Sequence, residues 1–451
     1  MKENELTAID FGTSQILAIT VEVQENGAIK ILAAESKKTT AINKGLIEQK
    51  TSAAFAVNEL QKLLQNSSGI KNINRVAVSI NARSMRCWLL SQSFDISLKS
   101  INQHLINELR DECFEETLSF KDKDVYKLFP AAYYIDGGKV ENPVGKKGSI
   151  LDIDYNAIIG KKEIKANLNE CFDRTGILIE HCSLGIEALS TVLLEDDERK
   201  NGCALINMGA GTTTLAIYNE GALQDMIVVP LGAKAITADI CELGINEKNA
   251  ELLKQKKGVA MEKCITNPVN VQFPSTLNDR ETVKISTRFL GRIIEARLED
   301  MLEPIFFRIR QQQQHQELEA GIIITGGGSK LNGITQFIEE KTNMPVRYGN
   351  HSDWLADDVD EQFYDPQYAQ LIGTIVLAND NRNNPAKQIE THKSKHTTRI
   401  FDSLAQGFIN FFNEEEKKQT AKKPKKQESK SVKKDRVKKI STVRLDAKIN
   451  Y

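Results

Sequence analysis

Ile9-Asp10-Phe11-Gly12-Thr13-Ser14 near the start of the chain and Ile206-Asn207-Met208-Gly209-Ala210-Gly211-Thr212-Thr213 near its middle share one grammar. In each, an apolar strand runs into an acid or amide, then glycine and threonine. A second alternating strand follows, Ile16 to Thr20 in one case and Thr214 to Tyr218 in the other. The pattern predicts two β-hairpins whose glycines let backbone N–H groups approach an anion, with hydroxyls alongside. Taken singly, an Asp-x-Gly-Thr stretch is more often an ordinary turn between strands. Two unrelated turns have no reason to share this order, so the duplication favours hairpins that face one another and hold a polyphosphate from both sides. A third segment, Ile324-Thr325-Gly326-Gly327-Gly328-Ser329, carries an apolar run into three glycines, bare enough for a flat ring to lie against backbone. The sequence has no GxxxxGK[ST] loop, which excludes the P-loop route to phosphate binding.

At 451 residues, 40% hydrophobic and 27% charged, the chain has the size of two or three domains and the composition of a soluble globular protein. No stretch nears the roughly eighteen consecutive apolar residues of a spanning helix, and the N-terminus enters a strand almost at once. Neither a membrane-spanning nor a signal-bearing secreted protein is expected. The seven cysteines are scattered without a CxxC pair and are read as reduced thiols of a cytoplasm, with no zinc site and no disulfide frame. The net charge of −1 hides an asymmetry, because Lys417 to Tyr451 carries fourteen basic against three acidic residues. The body is therefore acidic, which argues against nucleic acid as its partner.

Strands are expected near Thr7 to Asp10, Ile16 to Val23 and Arg75 to Ile80, with a helix from Ser52 to Gln65. Between about Ala82 and Lys162 the grammar changes to a small inserted α+β subdomain. It has a helix at Asn102 to Thr117 and an irregular segment from Phe129 to Gly138. Alternation resumes with helices at Lys162 to Thr175 and Gly185 to Leu194. Ala233 to Lys257 is helical in pattern, and Ser286 to Ile309 reads as a long amphipathic helix between subdomains. The polar run from Asn379 to Thr398 reads as a linker.

Beyond it, Ile400, Phe401, Leu404, Phe408, Phe411 and Phe412 fall on one helical face of Arg399 to Asn413. Docking on the body's own core is one reading of this helix. The linker before it and the charged tail after it favour in-plane binding to a membrane. Each large apolar side chain buried contributes about 1.5–3 kcal/mol. Each Lys or Arg of the tail held near an anionic leaflet adds about 1 kcal/mol, opposed by Glu414 to Glu416. The tail itself, 414–451, reads as disordered and basic, although its alternating end from Val443 to Tyr451 has the pattern of a strand that could join a sheet edge.

The order of two phosphate hairpins and a later glycine turn resembles the actin, hexokinase and seventy-kilodalton chaperone superfamily of ATPases. More closely, the chain resembles the bacterial cell-division FtsA family over about residues 6 to 378. Phe129 to Gly145, Leu193 to Arg199, Leu231 to Ile240, Ile294 to Glu299 and Ile324 to Gly333 carry that likeness. The resemblance implies an α/β, two-lobed actin-like ATPase fold with the small inserted subdomain, followed by linker, amphipathic helix and tail. It implies one lobe from 1–81 and 163–205 with the insert at 82–162. The other lobe is 206–232 and 300–378, with a subdomain at 233–299. The linker is 379–398 and the membrane-targeting helix 399–413.

It further implies ATP with Mg²⁺. By position, Asp10, Gly12, Thr13 and Ser14 form the first phosphate hairpin, with Asp10 near Mg²⁺ through water. Asn207, Gly209, Gly211, Thr212 and Thr213 form the second. Gly326, Gly327 and Ser329 border the adenosine, Glu295 and Arg297 reach ribose or adenine, and Glu187 lies near the attacking water. A partly exposed helical glutamate with no such role is an equal reading of Glu187. The family also implies filaments and other division proteins as partners, at the cytoplasmic face of the cell membrane. The C-terminal tail of the tubulin-like protein FtsZ would be captured near Arg288 and Arg292.

Two features depart from the family pattern. Asn207 stands where it carries Asp, and a neutral amide binds a hard cation more weakly than a carboxylate, so hydrolysis is expected to be slow or absent. The amphipathic helix is also followed by a basic tail rather than ending the chain. A pilus-assembly ATP-binding scaffold that docks a membrane protein's cytoplasmic tail is the alternative, and it needs no lipid helix of its own. A metabolite kinase would need a catalytic carboxylate facing an acceptor hydroxyl, and none is recognisable.

Overall fold

The computed structural model describes residues 4–97, 100–117, 122–276, 281–314, 317–383, 438–439 and 444–447. The amphipathic segment 399–413 lies outside the described residues. The chain divides into two compact units, Met1–Cys87 with Ala166–Asn383, and Trp88–Lys165 with Asn384–Tyr451.

The first unit opens with β1 (Glu5–Phe11), β2 (Gln15–Val23) and β3 (Ile29–Lys38), the short pair β4 (Ile42–Asn43) and β5 (Leu46–Ile47), α1 (Lys50–Ser68) and β6 (Arg75–Ile80). The chain then passes into the second unit through β7 (Arg86–Asp95), α2 (Gln103–Thr117), β8 (Lys123–Ile135), β9 (Gly138–Val140) and β10 (Ile150–Lys161). It returns with α3 (Glu163–Asp173), β11 (Leu178–Leu184), α4 (Gly185–Leu193), α5 (Asp196–Asn201), β12 (Cys203–Met208), β13 (Thr213–Asn219) and β14 (Ala222–Val229). Next come α6 (Ala233–Cys241), α7 (Glu247–Lys257), β15 (Asn270–Pro274), β16 (Thr282–Ser286) and α8 (Thr287–Gln313). The unit closes with β17 (Ile322–Thr325), α9 (Ile334–Thr342), β18 (Val346–Tyr348) and α10 (Ala369–Asn383).

Within this unit the same sheet is built twice. One runs β11-β6-β1-β2-β3 and the other β18-β17-β12-β13-β14. In the first, the antiparallel pair β1 and β2 is flanked on the β1 side by the parallel strand β6. In the second, β12 and β13 are antiparallel and β17 lies parallel beside β12. These strands are buried along almost their whole length, as strands covered on both faces are. Helix α8 lays Leu290, Ile294, Leu298, Met301, Leu302, Ile305 and Ile309 into the core under β12 and β13, at the spacing of one helical face.

Three expectations change. The helical stretch from Ala233 to Lys257 is two helices. Gly244 turns the chain between them at φ +84°, and the side chain of Asn246 caps α7 by accepting from Asn249 N. The linker does not begin at Asn379, because α10 continues to Asn383. Its polar end is held by Arg382, which pairs with both oxygens of Glu180, and by Asn381 against His181. The segment at Phe129 is not irregular but lies within β8, where Tyr155 pairs with Pro130 and Asp154 with Ala132. Ala131 is the extra residue of a bulge, a place where a proline without an N–H is tolerated. In the tail, 438–439 form β19 and 444–447 form β20, both antiparallel to β7, and β20 falls within the alternating stretch from Val443 to Tyr451.

Taken by itself, the second unit is a sheet in the order β7-β10-β8-β9 covered by α2. Leu90, Phe94, Ile106, Leu109, Val125, Ile153 and Tyr155 are among the buried residues of its core.

Candidate nucleotide site

Both hairpins form where the sequence puts them, with Phe11 opposite Ile16 and Met208 opposite Thr213. The first turn is Gly12-Thr13-Ser14, and a Cβ at Gly12 would lie 2.8 Å from Gln15 O. The second is Gly209-Ala210-Gly211-Thr212, closed by Gly209 N donating to Thr212 O at 2.9 Å. Helix α6 starts directly beneath it, with Ala233 N and Lys234 N donating to Gly209 O and Ala210 O. The two turns meet. A Cβ at Gly211 would lie 2.7 Å from Thr13 Cγ2 and 2.8 Å from Thr13 Cβ, so only glycine fits there.

The third segment packs onto the second hairpin. Gly326 has φ +86°, and a Cβ on it would lie 2.7 Å from Met208 O and also strike Asn207 Oδ1. A Cβ on Gly328 would come within 2.9 Å of the same carbonyl. Gly327 alone is exposed, with nothing within 4 Å of an added Cβ. Ser329 does not border an open surface. It is fully buried, and its hydroxyl donates to Gly326 O at 2.7 Å, which ties the turn. Thr213 is likewise buried, its hydroxyl donating to Leu231 O at 2.9 Å, whereas Thr13, Ser14 and Thr212 keep access to solvent.

Glu295 and Arg297 both have protein partners. Glu295 Oε2 accepts from Glu262 N at 2.7 Å, at the start of the 3-10 turn Glu262–Cys264. Arg297 holds Asp239 of α6 with two hydrogen bonds, of 2.5 and 2.8 Å, the bidentate geometry that suits a guanidinium. Arg288 and Arg292 converge on one carboxylate, with Glu262 accepting from Arg292 at 3.0 Å and lying 3.8 Å from Arg288 Nε. Glu187 sits in the first turn of α4, half-buried.

Asp10 has a neighbour that no local pattern announced. Gln370, in the first turn of α10, donates to Asp10 Oδ1 at 2.5 Å and to Ser79 Oγ at 2.9 Å, while Asn81 donates to Gln370 Oε1 at 3.1 Å. Burial pushes the Asp10 carboxyl up to about 7, against a weaker downward pull from the Phe11 backbone. Two buried oxygens, Asn81 Oδ1 next to Gln370 and Thr325 Oγ1 on the strand residue paired with Asn207, have no hydrogen-bond partner among the described residues. The site thus offers what a bound anion and its water would use, with closely facing glycine turns, exposed hydroxyls and unmatched polar atoms.

The twice-built sheet with a hairpin in each half, meeting at their turns, defines an actin-like fold. The solved structure of a PilM–PilN type IV pilus biogenesis complex shares that fold, with a TM-score of 0.58 over 83% of this chain and 98% of that one at 15% identity. The model of the family "Cell division protein FtsA" matches residues 204–373. Cell division protein FtsA of Borreliella burgdorferi is 25% identical over 414 residues, covering 91% of this chain and 99% of its own. That of Escherichia coli strain K12 is 23% identical over 399 residues, covering 85% and 93%. Along most of its length the chain is thus similar to FtsA proteins, and the family model matches its second half.

Proposed function

We propose that this protein is an ATP-binding cell-division adaptor that forms filaments and ties FtsZ filaments to the cytoplasmic face of the cell membrane at the division site. The reading rests on the two glycine turns meeting at Gly211 and Thr13, joined to kinship with division proteins along most of the chain. Backbone N–H groups of Gly12 to Ser14 and Ala210 to Thr212 would take the phosphates, with the hydroxyls of Thr212 and Thr213 alongside. The adenosine would lie against Gly326 and Gly327. Magnesium supplies charge neutralisation between phosphates when bound, with Asp10 as its protein carboxylate through water. Asn207 contributes an amide where a second carboxylate would order water, so phosphate release is slow or absent. Glu187 would orient what water there is.

FtsZ's acidic tail would reach α8 at Arg288 and Arg292, where it competes with Glu262 for both guanidiniums. Membrane attachment is assigned to Ile400, Phe401, Leu404, Phe408, Phe411 and Phe412, with anionic lipids drawing the lysine-rich tail. Among the described residues no helix is long and apolar enough to cross a membrane. The pilus-type alternative has fold likeness alone at 15% identity.

Sedimentation with vesicles containing anionic lipid tests the reading. FtsZ filaments are expected to pellet with the vesicles only when the full chain and Mg-ATP are present, and no longer after Phe408→Asp with Phe411→Asp or after Arg288→Glu with Arg292→Glu. Pelleting that ignores both pairs of substitutions would overturn it.

A further inference from the structure

The duplicated sheets allow a position-by-position comparison. Asp10 of β1 is in register with Ser79 of β6, and Asn207 of β12 with Thr325 of β17. Each hairpin thus sets its acid or amide beside a buried hydroxyl on the parallel neighbour. In the second half that hydroxyl, Thr325 Oγ1, has no hydrogen-bond partner among the described residues. In the first half it has one from far along the chain, where Gln370 Nε2 donates to Ser79 Oγ at 2.9 Å and to Asp10 Oδ1 at 2.5 Å. The same strand arrangement therefore forms without a glutamine. Burying a glutamine to 9% exposure also forfeits side-chain freedom, so the sheet alone does not account for Gln370.

Its neighbours hold the amide in one direction. Asn81 Nδ2 donates to Gln370 Oε1 at 3.1 Å, which leaves both N–H groups of Gln370 for Asp10 and Ser79. Turned over, the amide would set Oε1 against an ionised carboxylate. Glycines make the room. A Cβ at Gly185, the first residue of α4, would lie 2.2 Å from Asn81 Nδ2 and 2.8 Å from Gln370 Oε1. A Cβ at Gly373 of α10 would lie 1.9 Å from Ala188 O of α4, so the two helices touch along their backbones and fix the point from which Gln370 reaches out. Asp10 is oriented in turn. With Oδ1 taken by Gln370, Oδ2 lies on the side of the first glycine turn, 3.9 Å from a Cβ built on Gly12.

We propose that Gln370 is a positioning residue for Asp10, holding Oδ1 so that Oδ2 faces the cation of a nucleotide seated at Gly12-Thr13-Ser14, and that Asn81 aims the glutamine. The inference rests on the Mg-ATP reading above and adds to it two residues outside the three glycine turns. A carboxylate fixed by a hydrogen bond on one oxygen presents the other without first giving up rotational freedom, and loss of such a supporting partner typically costs 10–100-fold in metal affinity. The second hairpin needs no equivalent, because the amide of Asn207 offers a cation no charge to aim.

Calorimetry of ATP binding to the full chain, in magnesium and in EDTA, tests it. Gln370→Leu is expected to leave the affinity in EDTA within twofold of the parent and to lower that in magnesium about tenfold. Asn81→Ala is expected to shift the same difference in the same direction by about threefold, roughly the share of an indirect partner. Added to Asp10→Asn, Gln370→Leu should make no further difference in magnesium, because a residue that acts through Asp10 then has nothing to position. Equal weakening with and without magnesium in both variants, or a further loss in the Asp10→Asn background, overturns the proposal and leaves Gln370 a packing residue. No change in either variant overturns it as well. A parent chain that binds ATP no better in magnesium than in EDTA overturns the Mg-ATP reading itself, and the proposal falls with it.

Discussion

The two glycine–threonine hairpins are the same backbone device with different electrostatics. Each ends a buried strand, turns on glycine and threonine and meets the other at Gly211 and Thr13. Their polar residues are not equivalent. Asp10 is a carboxyl held by Gln370 and pushed up to about 7 by burial, whereas Asn207 is a permanent neutral amide whose oxygen lies against Gly326. One hairpin carries a charge that depends on pH and ligand, and the other carries none. The shape of a pair of facing turns and the charge they carry can therefore be set separately.

The largest expected effect comes from breaking the shape. Gly211→Val drives a branched side chain into Thr13, and the turns must part. ATP affinity by calorimetry should fall at least about 100-fold, equivalent to about 2.7 kcal/mol. The charge difference should appear next, in the protein without nucleotide. Because the folded-state pKa of Asp10 is raised from the ordinary carboxylate value of 3.8 to about 7, the folded form binds a proton that the unfolded chain releases. Its contribution to stability is full below about pH 4, declines as pH rises, and is lost through about pH 7. Asp10→Asn should thus stabilise the protein by about 1–3 kcal/mol at pH 8 in urea unfolding, with the gain shrinking toward pH 5. The lower figure allows for the residue's partial contact with solvent. The same variant should weaken Mg-dependent ATP binding, the usual opposition between stability and function. An equal gain at both pH values would mean that Asp10 is not the group that titrates.

The hairpins were legible because their grammar is local: strand, acid or amide, glycine, threonine. Gln370 was not, since 360 residues separate it from Asp10 and a glutamine in a helix carries no signal of its own. The polar run after Leu377 looked like linker by composition. Tertiary pairing of Arg382 with Glu180 and of Asn381 with His181 overrides that weak preference. At Phe129 the proline suggested irregular chain, while a bulge in β8 accommodates it. Ser329, Glu295 and Arg297 fit the family pattern by position, yet their side chains tie a turn, hold a backbone N–H and pair with Asp239. A motif fixes the backbone path more firmly than the direction of each side chain. The strand-like end of the chain was readable as alternation, but its partner β7 was not.

Asn207→Asp tests the comparison from the other side, by giving the second hairpin the charge it lacks. Phosphate release with Mg-ATP should rise about tenfold over the parent, close to 1.4 kcal/mol in barrier. Without magnesium the variant should unfold at a lower temperature, because two carboxylates then share the site. An unchanged rate would place the limit on hydrolysis elsewhere than in Asn207.

The smallest effect on stability is expected at the third turn, where two neighbouring glycines should behave oppositely. Gly326→Ala puts a side chain at φ +86° and within 2.7 Å of Met208 O, so it should destabilise the protein and loosen the second hairpin. Gly327→Ala meets nothing within 4 Å and should change stability by no more than about 0.5 kcal/mol. Any consequence of that methyl must come from what lies over it. If the adenosine rests there, Gly327→Ala should weaken ATP several-fold while leaving tripolyphosphate binding alone, because only the ring would meet the methyl. Equal weakening of both ligands would mean that the substitution disturbs the hairpins. No change in either would move the base away from this turn, and α6 with Lys234 and Asp239 would become the next surface to probe.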